Sequence, residues 1–209
     1  MNCPSMTLPD GYTDLPPGKI ASVVTYLEMR DRPLNQPFPA PGGLSIRKVP
    51  DPDLGWYREL YRAVGQEWLW FSRLRMSDDE LARTLHDPNV ELYALSFERR
   101  DQGLLELDRR ATQDRTTLEV EISSFGLTQD SMGRGAGRYL MAQALESAWA
   151  RSPQRVWLHT CTLDHPRALP FYLKMGFIPY KRAIEISDDP RLTGYVPRSA
   201  ASHVPLIGE

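Results

Sequence analysis

The sequence predicts a mixed α/β domain with a central, largely antiparallel sheet and helices on both of its faces. Segments with strand-like alternation and segments with helical spacing follow each other in the order strand, two helices, three strands, helix, strand, helix, strand. The three consecutive strands are joined by short polar turns, a pattern typical of an antiparallel meander. This mixture of elements along one chain favours a single sheet covered by helices.

Composition divides the chain into three parts. Eight of the 18 prolines fall within residues 1–43, and proline fixes φ and removes a backbone donor. One piece of this part, "KIASVVTYLEMR", is rich in β-branched residues, so we predict an arm that carries one strand. That strand is expected to pair with a sheet edge, either of its own chain or of a second copy in a homodimer. Residues 44–186 form the regular domain, and residues 187–209 are predicted to be an irregular tail.

The first half of the domain begins with "LSIRKV", whose alternation predicts a strand over residues 44–49. Residues 53–65 place apolar side chains at helical spacing and end at Gly65, which predicts a helix. Ser77 and Glu80 have the spacing of a capping box at the start of a second helix. Three strands follow, in "VELYALSFE", "GLLELDRR" and "TTLEVEISSF".

The second half alternates helices and strands. An amphipathic helix is predicted in "GAGRYLMAQALESAWA", where one stripe carries Ala136, Leu140, Met141, Ala144, Leu145 and Ala148. The next strand is "RVWLHTCTL". Another helix follows in "HPRALPFYLKMG", with Pro166 in its first turn and Gly176 as its end. The segment "FIPYKRAIEI" closes the domain as a strand.

Charge and cysteine content restrict the classes of function. The net charge is −2, so the chain lacks the basic field that would attract nucleic acid or an anionic membrane. Its two cysteines, Cys3 and Cys161, form neither a disulfide framework nor a zinc cluster, which favours a reducing cytoplasm. The first 18 residues lack the basic and apolar regions of a signal peptide. No metal site is expected.

Three glycines precede the amphipathic helix in "SMGRGAGRYL", residues 131–140. A helix N-terminus carries unpaired N–H groups, and glycine lets phosphate oxygens approach them. The segment does not fit a P-loop, because Arg138 and Tyr139 follow Gly137. It does not fit the dinucleotide fingerprint either, because Leu140 stands where the third glycine is needed. A tight turn that only packs the helix against a strand is the alternative.

The neighbouring residues favour a phosphate site. The segment "FGLTQDSMGRGAGRYLM" resembles the signature of the GNAT family of N-acetyltransferases, in which an apolar strand end leads into Gln/Arg-x-x-Gly-x-Gly/Ala. Phe125 and Leu127 match the strand end, and residues 135–137 match the glycine pair. Met132 stands where the family prefers Gln or Arg, which removes one side-chain contribution and leaves the backbone amides.

A second segment, "HPRALPFYLKMGF", resembles the closing motif of the same family. The matching residues are Ala168, Phe171, Tyr172, Gly176 and Phe177, and His165 replaces the usual Asn. A buried aromatic helix is the alternative, which we accept for Phe171. The two motifs occur in the family's order and spacing, so the resemblance extends over about residues 44–186 and implies the GNAT fold.

The resemblance implies transfer of an acetyl group from acetyl-CoA to a primary amine by direct attack. The acceptor would be a small molecule or a peptide. The pantetheine arm would lie beside Phe125 and Leu127 and pair with free backbone groups there, like an added strand. The pyrophosphate would rest on the turn formed by Gly133, Arg134, Gly135, Ala136, Gly137 and Arg138.

Two residue types are candidates for proton transfer. Alternation places Glu119 and Glu121 on one face of the strand "LEVEIS". We predict Glu121 as the general base and Glu119 as a contact to the acceptor; pairing of either one with an arginine of a neighbouring strand is the alternative. The resemblance implies that Tyr172 protonates the leaving thiolate, because a phenol with a pKa of about 10 still holds its proton when the thiolate forms. A purely structural phenol is the alternative.

Trp68 and Trp70 follow the first helix, where this family builds the acceptor wall, and they are predicted either to contact the acceptor or to belong to the core. His159 is interpreted as a core residue, and Cys161 lacks the partners of a nucleophile. A non-catalytic module that binds CoA or a partner on the same fold is the alternative function.

Overall fold

The computed structural model of the 209-residue chain describes residues 10–33, 38–110 and 118–208. Its strands are β1 (Lys19–Met29), β2 (Leu44–Lys48), β3 (Val90–Phe97), β4 (Arg100–Asp108), β5 (Glu119–Leu127), β6 (Arg155–Cys161) and β7 (Ile178–Asp188). Its helices are α1 (Leu54–Gly65), α2 (Asp78–Leu85), α3 (Ala136–Trp149) and α4 (Ala168–Lys174). The strands form one sheet in the order β2-β3-β4-β5-β6-β1-β7. All neighbours are antiparallel except β5 and β6, which confirms the predicted fold class.

Local signals in the sequence determine where the helices begin. Asp53 caps α1 by accepting a hydrogen bond from the Trp56 amide at 2.8 Å. The capping box of Ser77 and Glu80 is confirmed at the start of α2. Helices α1 and α2 pack against one face of the sheet, and α3 packs against the other, so two separate apolar cores form. None of the helices in the described ranges has both the length and the apolar composition needed to cross a bilayer.

The arm strand β1 lies inside the sheet rather than at an edge. It pairs antiparallel with β6 on one side and with β7 on the other, within the same chain. Leu27 is fully buried in the core under α3. The strand carries buried apolar side chains on both faces, as interior strands do, and β7 takes the edge position. A homodimer formed through the arm is therefore not needed to pair this strand, and the homodimer stays a prediction.

The tail also packs against the domain. After β7, residues 189–208 run through turns without a helix or strand, and Val196, Ala200 and Ala201 are buried in the core under α1. Arg191 donates a hydrogen bond to Asp189 at 2.7 Å and another to the carbonyl oxygen of Val204 at 2.8 Å. Both side chains of this ion pair are almost fully buried. The division into arm, domain and tail stays a proposal based on composition.

Strands β5 and β6 pair over only a short stretch. Their parallel pairing joins residues 119–121 to residues 155–157 and ends there. A β-bulge follows in β5, because Ile122 lies opposite Leu107 and Ser124 opposite Glu106, so that Ser123 is the extra residue. Beyond this point the two strands diverge, and the opening between them positions the candidate site.

Two alanine substitutions on β1 test its interior position through the free energy of unfolding. Leu27→Ala removes a fully buried side chain and should lower the free energy of unfolding by about 2–5 kcal/mol. Val23→Ala, at a side chain that is 43% exposed on the same strand, should cost less than about 1 kcal/mol. Urea denaturation measures both values. Equal, small losses would contradict burial of β1 in the core.

Candidate active site

A cleft of about 230 Å³ opens where β5 and β6 diverge. It reaches from the sheet to the segment between α1 and α2 and to the N-terminal end of α4. The residues that line it include Ser123, Ser124, Phe125, Gly126, Leu127, His159, Cys161, Asp164, His165, Tyr172, Trp68, Trp70 and Glu185. The cleft therefore brings together the strand end of the first motif, the α4 motif and the aromatic segment after α1, whereas residues 133–138 of the glycine-rich turn are not among its lining residues.

The backbone at the end of β5 borders the cleft. Beyond Glu121 this strand is paired on one side, with β4, and its pairing with β6 has ended. A strand with one unpaired edge can add an extended segment through backbone hydrogen bonds. Phe125 and Leu127 lie on this stretch, and Phe125 stacks on Phe171 with ring centroids 5.7 Å apart. Phe171 thus has the packing role that the sequence predicts.

The glycine-rich turn leads directly into α3. Gly133 and Gly135 have φ of +84° and +79°, in the left-handed region that favours glycine. Gly135 is the N-cap of α3 and has no side chain to cap the first N–H groups of the helix. The turn also carries two exposed guanidinium groups. Arg134 lies over the ring of Phe97 at 4.7 Å, and Arg138 lies over the ring of Phe38 at 4.8 Å.

Tyr172 reaches the cleft from α4. Its side chain is buried, and its ring lies edge-on to Phe125 with centroids 6.0 Å apart. Burial, together with the charge of Asp164, raises the pKa of Tyr172 far above its ordinary value. The phenol therefore carries its proton at neutral pH.

The two glutamates of β5 have different surroundings. Glu119 accepts a hydrogen bond from Arg155 at 2.8 Å, and Arg155 also binds Glu28 at 3.0 Å. This network lies outside the residues that line the cleft. The Glu121 carboxylate lies one step nearer the opening, with its Oε1 3.6 Å from Nδ1 of His159. The two side chains share a strand face, but only Glu121 is connected to a residue of the cleft.

The interpretation of His159 as a core residue is wrong. Its side chain is 44% exposed and lines the cleft. The pairing of β6 with β5 has ended before this position, and His159 lies beside the opening that results. The sequence pattern shows only that His159 alternates with the buried Leu158 and Thr160; it does not show which face is open.

Trp68 and Trp70 form one wall of the cleft. The indole N–H of Trp70 donates to Asp164 at 3.0 Å. Trp68 packs edge-on against His165 with centroids 4.7 Å apart, and His203 of the tail lies 5.7 Å away. The aromatic segment, the loop after β6 and the tail thus support each other around the cleft.

Asp164 is a residue that the sequence analysis missed. Besides Trp70 it accepts hydrogen bonds from the Thr160 hydroxyl at 2.7 Å and from the Cys161 amide at 2.9 Å. It therefore fixes the loop that leads into α4. Burial, followed by the charge of Asp164, raises the pKa of Cys161, so this thiol is not an activated nucleophile. Among the described residues, no group of three or more His, Cys, Asp or Glu side chains is placed to hold a metal ion.

Glu106 on β4 was also missed. It is fully buried and accepts hydrogen bonds from the Tyr57 hydroxyl at 2.7 Å, from Ser123 at 2.9 Å and from Arg73. A signal was present in "GLLELD", because a carboxylate between leucines is unusual on a buried strand. The partners are distant in sequence, so the pairing itself could not be predicted.

The sequence profile of the Acetyltransferase (GNAT) family matches residues 57–177. This stretch covers more than half of the chain and contains the glycine-rich turn and the α4 motif, so the chain belongs to the GNAT acetyltransferase family. No curated protein sequence is significantly similar to it.

Solved structures share the fold at low sequence identity. A GCN5-related N-acetyltransferase from Sphaerobacter thermophilus is 18% identical over 83% of this chain and 52% of its own length, with a TM-score of 0.56. An aminoglycoside acetyltransferase from an uncultured soil metagenomic sample is 16% identical over 64% of this chain and 88% of its own, with a TM-score of 0.53. A functionally unknown protein from Staphylococcus epidermidis is 14% identical over 82% of this chain, with a TM-score of 0.51; the chain spans 64% of its length.

Paired substitutions at Gly135 test whether the turn before α3 binds an anion. Asp and Asn have nearly the same shape, and both tolerate the left-handed conformation of this position. Gly135→Asp adds a negative charge and should weaken acetyl-CoA binding at least about tenfold relative to Gly135→Asn, roughly 1.4 kcal/mol. Calorimetry on both folded variants measures the difference. Equal affinities would show that no phosphate lies at this turn.

Proposed function

We propose that this protein is an N-acetyltransferase that transfers an acetyl group from acetyl-CoA to a primary amine by direct attack. Membership in the GNAT family supports acyl transfer in general. One observation supports the finer proposal. A single cleft contains the unpaired backbone edge of β5, the protonated phenol of Tyr172 and the exposed imidazole of His159, which has the Glu121 carboxylate beside it.

The residues present fit acetyl-CoA as the cosubstrate. The amides from Gly133 to Arg138 would hold its pyrophosphate, because the glycines expose the N-terminus of α3 and two guanidinium groups lie beside it. The backbone beside Phe125 and Leu127 would pair with the amides of the pantetheine arm, since β5 has no second strand there. Acetyl-CoA supplies a thioester carbon that an amine can attack.

Two proton transfers are needed, one from the amine and one to the thiolate. Glu121, together with His159, and Tyr172 would carry them out. The attacking amine must lose a proton, because an ammonium ion has no free electron pair. His159 lines the cleft and Glu121 lies behind it at 3.6 Å, so the two side chains together provide a basic group on this side. When the bond to sulfur breaks, the thiolate needs a proton, and Tyr172 holds one in the buried part of the cleft.

Trp68 and Trp70 would contact the acceptor, because both line the cleft. A contact between Glu119 and the acceptor stays a prediction; the structure favours the alternative, because Arg155 already binds this carboxylate. The acceptor is proposed to be a small molecule or a peptide with a primary amine. The cytoplasmic location also stays a prediction from the cysteine content.

Release of free CoA distinguishes the enzyme from a non-catalytic module. The experiment incubates the protein and acetyl-CoA with a panel of amines, amino acids, aminoglycosides and short peptides, and follows the free thiol. An enzyme gives thiol release that saturates with at least one acceptor. Tight binding of acetyl-CoA without thiol release above the acceptor-free rate would instead favour the CoA-binding module.

Tyr172→Phe tests the proposed acid. The variant keeps the ring packing and removes only the hydroxyl oxygen, so it should lower kcat about a hundredfold, near the low end for general acid catalysis. Acetyl-CoA affinity should change less than about threefold, because the lost contact acts in the transition state. Tyr195→Phe, at an exposed tyrosine of the tail, is the control. If Tyr172→Phe keeps most of the wild-type kcat while chemistry limits the rate, Tyr172 is not the acid.

A further inference from the structure

We propose that His159 takes the proton from the attacking amine and that Glu121 is the positioning residue behind it. This assignment rests on the proposed acetyl transfer. It differs from the expectation drawn from the sequence, which gave the role of base to the carboxylate itself. The reasons are the accessibility of the two groups, the geometry between them and the charges that surround the imidazole.

Accessibility separates the two side chains. The side chain of His159 is 44% exposed and lines the cleft. The side chain of Glu121 is 16% exposed and is not among the residues that line the cleft. An amine held against the open end of β5 would therefore meet the imidazole before it could reach the carboxylate. A general base must come within hydrogen-bond reach of the proton that it removes.

The geometry between the two residues suits an oriented base. Nδ1 of His159 lies 3.6 Å from Oε1 of Glu121. A carboxylate on this side favours the tautomer with a proton on Nδ1, which leaves the electron pair on Nε2. The ring of Tyr26 packs against the imidazole with centroids 5.6 Å apart and limits its rotation. Carboxylate and phenol ring together hold the imidazole in one orientation.

The charges around the imidazole are mostly negative. Glu121 faces it from β5, Asp164 from the loop after β6 and Glu185 from β7. Tyr26 faces it from β1, and Lys181 of β7 lies over the Tyr26 ring at 4.6 Å. The Glu121 carboxylate, 3.6 Å from Nδ1, raises the pKa of His159 above its ordinary value, against the opposing effect of burial. The raised pKa makes the imidazole a stronger base than an ordinary histidine.

The protons balance over one turnover. As the amine nitrogen bonds to the thioester carbon, its proton passes to Nε2 of His159, and Glu121 stabilises the imidazolium. As the carbon–sulfur bond breaks, the Tyr172 proton passes to the thiolate. Solvent then returns the His159 proton to the tyrosinate. One neutral amine and one acetyl-CoA give one amide and one free thiol, and both side chains are restored; an acceptor that arrives as an ammonium ion releases one further proton to solvent.

The pH dependence has a defined sign. His159 must be neutral to accept a proton, so kcat/KM should fall as the pH drops below the pKa of His159. Because that pKa is raised, the acid limb of the pH profile, where kcat/KM falls, should have its midpoint above the ordinary histidine pKa of about 6.5. Glu121→Gln removes the group that raises it, so the acid limb should move to lower pH. A merely structural glutamate would change the rate without moving the limb.

The experiment measures thiol release from acetyl-CoA, with the best acceptor of the panel or with water as the acceptor, between pH 5 and 9. His159→Gln should lower kcat by at least about a hundredfold and abolish the acid limb, while acetyl-CoA affinity changes less than threefold. His86→Gln, at an exposed histidine that is not among the residues lining the cleft, should match the wild type. Glu121→Gln should lower kcat by a smaller factor and shift the limb. NMR titration of the His159 ring in the free protein should show the same shift in Glu121→Gln.

The outcomes separate the two proposals. Wild-type protein that binds acetyl-CoA but releases no thiol contradicts the proposed function. Wild-type activity that survives His159→Gln with its acid limb intact contradicts the assignment of His159. Loss of activity in Glu121→Gln together with an active His159→Gln would identify the carboxylate as the base. The NMR titration needs no acceptor, and a His159 pKa that Glu121→Gln leaves unchanged also overturns the pairing.

Discussion

The buried carboxylate of Glu106 joins the three parts of the molecule that build the cleft. Its hydrogen bonds reach Tyr57 in α1, Arg73 in the segment that follows the aromatic wall, and Ser123 at the bulge of β5. A buried carboxylate is tolerated only when it is paired and hydrogen-bonded. Movement of α1, of the wall or of the bulge would leave this charge without a partner, so the three parts are fixed relative to each other.

The divergence of β5 and β6 follows from this arrangement. With Ser123 bound to Glu106, the bulge turns the end of β5 away from β6, and the strands stop pairing after residues 121 and 157. The sheet thereby loses ladder hydrogen bonds in its middle. In exchange, a ligand can reach the unpaired backbone groups of β5. Tyr172 lies on the α4 side of this opening, and His159 lies on the opposite face of the sheet.

Much of the fold was predictable because its signals are local. The capping box of Ser77 and Glu80 and the apolar stripe of α3 each lie within one element, and both are observed. The glycine-rich turn and the α4 motif were recognisable for the same reason. The interior position of β1 was not predictable, because its partners β6 and β7 lie more than a hundred residues away in the sequence. Alternation indicates a strand but not which strands pair with it.

The sequence by itself determined the element types, the family resemblance and the residues that could carry proton transfer. Only the tertiary structure decided which of those residues face the cleft. Glu119 and Glu121 are equivalent in the strand pattern, yet Arg155 binds one and His159 lies beside the other. The sequence pattern predicts that His159 is a buried strand residue, whereas the structure shows it exposed. The physical reason is that side-chain alternation follows from the backbone of one strand, whereas exposure depends on where neighbouring strands end, and that depends on contacts between distant residues.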